Sequence, residues 1–142
     1  MLYSDELLFD IEADAYCVTT NGLISKKGLA VMGRGVALSA KKRFSGIDKN
    51  LANSLKLYGN RPNIIYNNPI IISLPTKHNW YSKGDYLLIE KSLTELVLLV
   101  NFYGFTKIAL PKPGCSNGKL SWCKVKMLCE KYLDDRFIVS TF

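Results

Sequence analysis

Apolar positions along the chain fall into short blocks whose spacing switches between the strand and helix periods. Asp14 to Thr20 (DAYCVTT) is a β-prone apolar run that ends on the turn pair Asn21-Gly22. Leu23 to Gly35, rich in Gly and Lys, predicts a loop. Val36 to Phe44 then predicts a helix with Val36, Ala40 and Phe44 on one face, lysines on the other and Gly46 as its terminator. A second short helix over Leu51 to Tyr58 precedes two strands, Ile64 to Tyr66 and Pro69 to Leu74, divided by Asn67-Asn68. The clearest helix is Asp85 to Tyr103, where Leu88, Ile89, Leu93, Leu96, Val97 and Leu99 form a wide apolar stripe and Gly104 closes the element. Thr106 to Leu110 predicts a buried strand running into the loop Pro111-Lys112-Pro113-Gly114. Ser121 stands as the N-cap of a last helix, Trp122 to Lys131, and Phe137 to Thr141 predicts a final strand.

Strands alternating with helices predict an α/β fold, a mixed and mostly parallel sheet with helices on both faces. No repeat or linker interrupts the 142 residues, so a single domain over 1–142 is expected. In such sheets, ligands bind outside the C-terminal ends of the strands. Glycine-rich loops follow two of these ends, after DAYCVTT and after TKIAL.

At 48% hydrophobic residues the chain can build one core and is no disordered tail. No apolar run approaches the roughly 20 residues that span a bilayer. The acidic start MLYSDELLFD does not resemble a signal peptide, so a cytoplasmic monomer without membrane contact is expected (host cytoplasm if phage-encoded). The four cysteines (Cys17, Cys115, Cys123, Cys129) fit no zinc spacing and His78 is the sole histidine, so no metal or cofactor is expected and the thiols are read as reduced. The net charge of +7 favours acidic partners, nucleotides and nucleic acid among them. A composition rich in Lys, Asn, Ile and Tyr accounts for the same charge through an AT-rich genome, and no basic run carries interleaved aromatics.

Chemistry concentrates at the two loops. Met32-Gly33-Arg34-Gly35 leads into a helix, where glycines permit close approach and free N–H groups face an anion; an ordinary turn is the alternative. Gly114-Cys115-Ser116-Asn117-Gly118 also precedes a helix, and two such loops at neighbouring strand ends form a candidate diphosphate clamp. Asn21 is either a turn residue or a carboxamide that holds ribose hydroxyls. Lys77 is either a solvated charge or, with a lowered pKa, a nucleophile beside an anomeric centre, with Lys83, Lys26 and Lys27 as groups that would lower it. His78 is a surface residue or a proton-transfer group. Cys115 has no partner beyond His78 for a catalytic dyad, and Ser116 fits a phosphate ligand better than a nucleophile.

The segments DAYCVTTNG, VMGRGVALSAKKRF, LPTKHNW, IEKSLTELV and IALPKPGCSNGKLSW resemble the macrodomain family in order and spacing. The likeness covers almost the whole chain. Its most specific pieces are MGRG-A, LPTKHxW and PxPGCxNGxLxW, and the similar branch contains the terminal ADP-ribose glycohydrolase and the antitoxin that strips ADP-ribose from DNA. The resemblance implies a three-layer α/β/α sandwich with about six strands, an ADP-ribose cleft across the strand ends, and a small stand-alone bacterial or phage protein. Carried over by position, it implies adenine contacts at Glu6 and Leu7 (with Asp5 one residue away), the distal ribose at Asn21 and the first phosphate loop at Gly33, Arg34, Gly35 and Val36. It further implies the second loop at Gly114, Cys115, Ser116, Asn117 and Gly118, with Lys77 and Asn21 catalytic. Where the protein-directed glycohydrolases of this branch carry an aspartate, this chain has Gly118. The implied activity is hydrolysis of ADP-ribosyl groups from a DNA base or an acidic side chain. Removal of phosphate from ADP-ribose 1″-phosphate and non-catalytic capture of ADP-ribose are the alternatives.

Overall fold

The computed structural model describes residues 1–142. Six strands alternate with four helices in the order β1 (Leu2–Ser4), β2 (Ala15–Thr20), α1 (Gly35–Arg43), α2 (Ile47–Tyr58), β3 (Asn63–Asn67), β4 (Ile70–Pro75), α3 (Tyr86–Tyr103), β5 (Ile108–Leu110), α4 (Trp122–Tyr132) and β6 (Phe137–Ser140). They form one mixed sheet in the order β1-β6-β5-β2-β4-β3, parallel throughout except for β3, which runs antiparallel to β4.

Strand alternation sorts the side chains into two cores. Ala15 and Cys17 of β2, Ile72 and Leu74 of β4, and Phe137 and Val139 of β6 face α3 and α4, meeting Leu93, Leu96, Val100, Val125 and Cys129. Val18 and Ile71 face the other way, onto Ala40 of α1 and Ile47, Leu51 and Ala52 of α2. Helices therefore cover both faces, giving the three-layer sandwich.

Local chemistry sets several boundaries. Asp85 caps α3, its carboxylate accepting from the N–H groups of Leu87 and Leu88, and the N–H of Leu88 is the first cause holding its pKa below the usual carboxylate range. Gly104, at φ 72°, ends that helix. The buried stripe of α3 includes Ser92 and Val100, whereas Val97 and Leu99 sit half-buried at its margin. Asp14 accepts from the backbone of Thr106 (2.8 Å) and Lys107 (3.0 Å), fastening the start of β2 to the segment that enters β5. No helix is long and apolar enough to cross a membrane.

Several sequence expectations shift. Helix α1 ends at Arg43 with Phe44 as its C-cap, and Gly46, at φ 82°, instead caps the start of α2, which begins four residues before Leu51. Ser121 occupies the N-cap of α4, yet its side chain makes no capping hydrogen bond. Ladder pairing begins at Ile108 rather than Thr106, because the Thr106 N–H and hydroxyl are engaged by Asp14.

Candidate functional site

The parallel strands β6, β5, β2 and β4 end at the same edge of the sheet, and their chains leave it in different directions. After β2 the chain passes to α1 on one face, while after the adjacent β5 it passes to α4 on the other. That divergence opens a crevice between neighbouring strand ends. The crevice is a cleft of about 650 Å³.

The structure gathers most of the residues singled out in the sequence around this cleft: Leu7, Asn21, Gly33, Arg34, Gly35, Val36, Lys77, Gly114, Cys115, Ser116 and Asn117 line it. Glu6 and Gly118 do not. Glu6 is exposed, and its backbone and carboxylate both engage the hydroxyl of Ser4. Gly118 is buried beneath the loop, its carbonyl accepting from the N–H of Gly84 at 2.9 Å. His78 also stands apart, 63% exposed and 3.0 Å from the Asp85 carboxylate.

Two loops face each other across the crevice. The first hydrogen bond of α1 is Leu38 N–H to Arg34 carbonyl, and Arg34 caps the helix without a side-chain bond. The N–H groups of Gly35, Val36 and Ala37 therefore lie free at the positive end of the helix dipole. Opposite them, the N–H groups of Ser116 and Asn117 have no intramolecular partner. The loops approach closely: a Cβ placed on Gly35 would lie 2.7 Å from Nδ2 of Asn117.

Four cations line the cleft, Arg34, Arg43, Lys77 and Lys112, and no Asp or Glu does. Arg43 lies over the Phe9 ring (5.1 Å) and Lys112 over the Trp122 ring (5.4 Å), so aromatic faces steady two of them. Lys77 Nζ donates to the carbonyl of Asn117 (3.2 Å) and reaches that of Trp80 (3.5 Å). Its pKa is pushed below the ordinary lysine value, first by burial and then by the charges of Arg34 and Lys119. Those two cations, rather than Lys26, Lys27 or Lys83, are the neighbours that act on it. Asn21 spends its carboxamide on the loop, Nδ2 donating to Val31 (3.1 Å) and Oδ1 accepting from Leu23 (3.0 Å), and still presents a face to the cleft. Burial raises the pKa of the Cys115 thiol, keeping it in its unreactive form.

Sequence reading missed several lining residues: Phe9, Arg43, Thr20, Trp80, Lys112 and Ser140–Phe142. Trp80 lies within the LPTKHNW motif and was legible there. Thr20, Arg43 and Lys112 likewise lie within quoted segments, whereas Phe9 and Ser140–Phe142 lie outside all of them and reach the cleft through the tertiary fold.

The structural neighbours decide the architecture. The macrodomain of Thermus aquaticus DarG superimposes with a TM-score of 0.84 over 99% of this chain and 97% of that one, at 24% identity. The chain has the macrodomain fold. A Thermosipho africanus DarTG structure in complex with ADP-ribose matches with a TM-score of 0.81, at 20% identity over 97% of this chain and 40% of that one. Among sequence relatives, human ADP-ribose glycohydrolase OARD1 is 29% identical over 72% of the chain and 67% of its own length. The DNA ADP-ribosyl glycohydrolase of Thermus aquaticus is 26% identical over 75% of the chain, which spans about a third (32%) of that relative's length. No family model matches the chain. The fold is thus shared with these structures while only about a quarter of the residues are identical.

Proposed function

We propose that this macrodomain binds ADP-ribose across the cleft and hydrolyses the bond between its anomeric carbon and an acceptor. The observation that carries the reading is the lining itself: four cations, two facing sets of free N–H groups and no carboxylate. Such a lining suits a diphosphate, whose two negative charges a carboxylate would repel. The relatives named as glycohydrolases and the neighbour solved with ADP-ribose support the same ligand.

In this reading the diphosphate lies between Gly33–Val36 and Gly114–Asn117. Adenine takes the end formed by Leu7, Leu8, Phe9 and Ser140–Phe142, with Leu7 keeping its assigned role and Glu6 standing outside the lining. The distal ribose lies at Asn21 and Lys77. With no Asp or Glu in the cleft, a two-carboxylate glycosidase mechanism has no residues to run on. Lys77 is the group left to act at the anomeric carbon, and its lowered pKa keeps more of it as the neutral, nucleophilic amine. Overall, water supplies a hydroxyl to the ribose and a proton to the departing acceptor.

The acceptor is a DNA base or an acidic side chain. Beside Lys77 stand Trp80 and Tyr81, 49% and 71% exposed with ring centroids 5.5 Å apart, and Lys119 lies close by. Exposed aromatics among cations favour nucleic acid, because bases stack on them and phosphates pair with the charge. Incubation with ADP-ribosylated single-stranded DNA, ADP-ribosylated glutamate peptide and ADP-ribose 1″-phosphate separates the readings; release of ADP-ribose from DNA is expected. Binding of ADP-ribose with turnover of none of the three would establish a capture module, the reading favoured by Gly118 where a carboxylate stands in the protein-directed branch.

Replacement of Gly35 by valine tests the first loop. Gly35 has φ 58°, a conformation that a β-branched residue strongly resists, and its Cβ would press on Asn117. Calorimetry should show ADP-ribose affinity falling by about tenfold or more, at roughly 1.4 kcal/mol per decade. Unchanged affinity in a folded Gly35→Val variant would place the diphosphate elsewhere.

A further inference from the structure

Lys77 sits on a loop, and a loop places an amine accurately only when its backbone is held. The backbone around Lys77 is held at each step. The Pro75 carbonyl accepts from the Ser92 hydroxyl (2.8 Å), Thr76 N–H donates to Thr20 (3.1 Å), the Thr76 carbonyl accepts from Asp85 N–H (2.9 Å), and the His78 carbonyl accepts from Gly22 N–H (3.1 Å). The carbonyl of Lys77 itself is taken by a side chain, Nδ2 of Asn60, at 3.0 Å.

Asn60 follows Gly59, the C-cap of α2, and belongs to neither phosphate loop. Its amide fills the space between two parts of the site: a Cβ on Gly22 would lie 3.0 Å from Asn60 Nδ2 and 3.0 Å from the His78 carbonyl. One side chain therefore spaces the Asn21-Gly22 turn from the backbone of Lys77. It does so at a cost. The Oδ1 atom of Asn60 is buried and has no hydrogen-bond partner, a defect that an apolar side chain of the same shape would not carry. An apolar side chain would remove that orphan atom but would also take the donor away from the Lys77 carbonyl.

We propose that Asn60 is a positioning residue for the reaction, setting the backbone of Lys77 and its spacing from Asn21 across the place where the anomeric carbon sits. The inference rests on the reading of Lys77 as the group that acts on that carbon. The side chain does not line the cleft. It acts through Lys77, so its loss moves the amine without removing a binding contact.

Asn60→Leu keeps the shape and removes the donor, and Asn60→Ala removes the donor without adding bulk. Both are compared with the wild type for kcat and KM on ADP-ribosylated single-stranded DNA, for Kd of ADP-ribose and for Tm. The expected result is a kcat lowered by about tenfold or more, since displacement of a reacting group by an ångström is worth up to about a hundredfold. KM and Kd should stay within about twofold, the pattern of an interaction felt only in the transition state. The Tm of Asn60→Leu should stay close to that of the wild type, because the donor lost to the Lys77 carbonyl is offset by removal of the unpartnered Oδ1. Full kcat in either variant overturns the inference while leaving the site reading intact, and so does a parallel fall of kcat, affinity and Tm in both, which marks a structural role. A wild-type protein that binds ADP-ribose but cleaves nothing overturns the catalytic reading of the site, and this inference with it.

Discussion

Lys77→Ala is expected to lower turnover about 100- to 1,000-fold, the range seen when one charge-stabilising group leaves a reacting centre, while ADP-ribose still binds. In the proposed reading the adenine and diphosphate contacts come from other segments, Leu7–Phe9, Gly33–Val36 and Gly114–Asn117, so ground-state affinity should survive. Lys77→Arg is expected to fail as well, because a guanidinium stays protonated and cannot attack carbon. Recovery of activity with arginine would mean that Lys77 supplies charge alone. The pH profile separates the same two roles. A nucleophilic amine must be neutral, so the rate should rise with pH and level off as pH passes the Lys77 pKa. Burial, Arg34 and Lys119 place that limb below the ordinary lysine range. Arg34→Ala and Lys119→Ala should each move the limb to higher pH by removing a like charge. Near-normal turnover in Lys77→Ala, on a substrate that the wild type cleaves, would end the assignment.

The sequence spoke clearly wherever a segment carries its own period or its own motif. The apolar stripe of α3 predicts the helix because Ile89, Leu93, Leu96 and Val100 meet one core, and the alternation of β2 and β4 separates the residues of the two helix layers. Strand β1 was silent for the opposite reason: its three residues are too few to show a period, and Leu2 and Tyr3 lie exposed on an edge strand paired only with β6. Gly46 was assigned to the wrong helix because a left-handed glycine between two helices looks the same from either side.

The site divides along the same line. Both glycine-rich loops and Lys77 lie in contiguous motifs, which is why their place at the cleft is legible in the sequence. What governs Lys77 is not. Arg34, Lys119 and Asn60 reach it from three different segments, and strand order, which no local pattern encodes, brings them together. The lining around Leu7 departs from the sequence reading for a related reason. Phe9 and Arg43 meet across separate segments at 5.1 Å, whereas Glu6, adjacent to Leu7 in sequence, turns back onto Ser4.

Gly118→Asp would restore the carboxylate of the protein-directed branch on paper, yet it is expected to destroy the site. A Cβ on Gly118 would lie 2.4 Å from the Gly114 carbonyl oxygen and 2.8 Å from the Gly114 carbonyl carbon. These are backbone atoms, which cannot swing aside as a side chain does. The loop is closed on itself at this point. Leu120 N–H donates to the Gly114 carbonyl (2.9 Å), Lys119 N–H to Ser116 (3.0 Å), and Gly84 N–H to Gly118 (2.9 Å). Any side chain at 118 must break that closure, and the loop that presents the Ser116 and Asn117 N–H groups moves with it. The obstacle is the first carbon rather than the carboxylate, so Gly118→Ala should fail in the same way. Overpacking of this kind costs about 1–3 kcal/mol. If all of it falls on the bound conformation, affinity for ADP-ribose drops by up to about two orders of magnitude. Binding and thermal unfolding of both variants check this. A folded Gly118→Ala protein with wild-type affinity would show that the second loop can rearrange, and a Gly118→Asp variant that gained activity on ADP-ribosylated glutamate would show that it accepts the carboxylate. The expected loss in both means that an aspartate cannot be grafted at this position without rebuilding the loop.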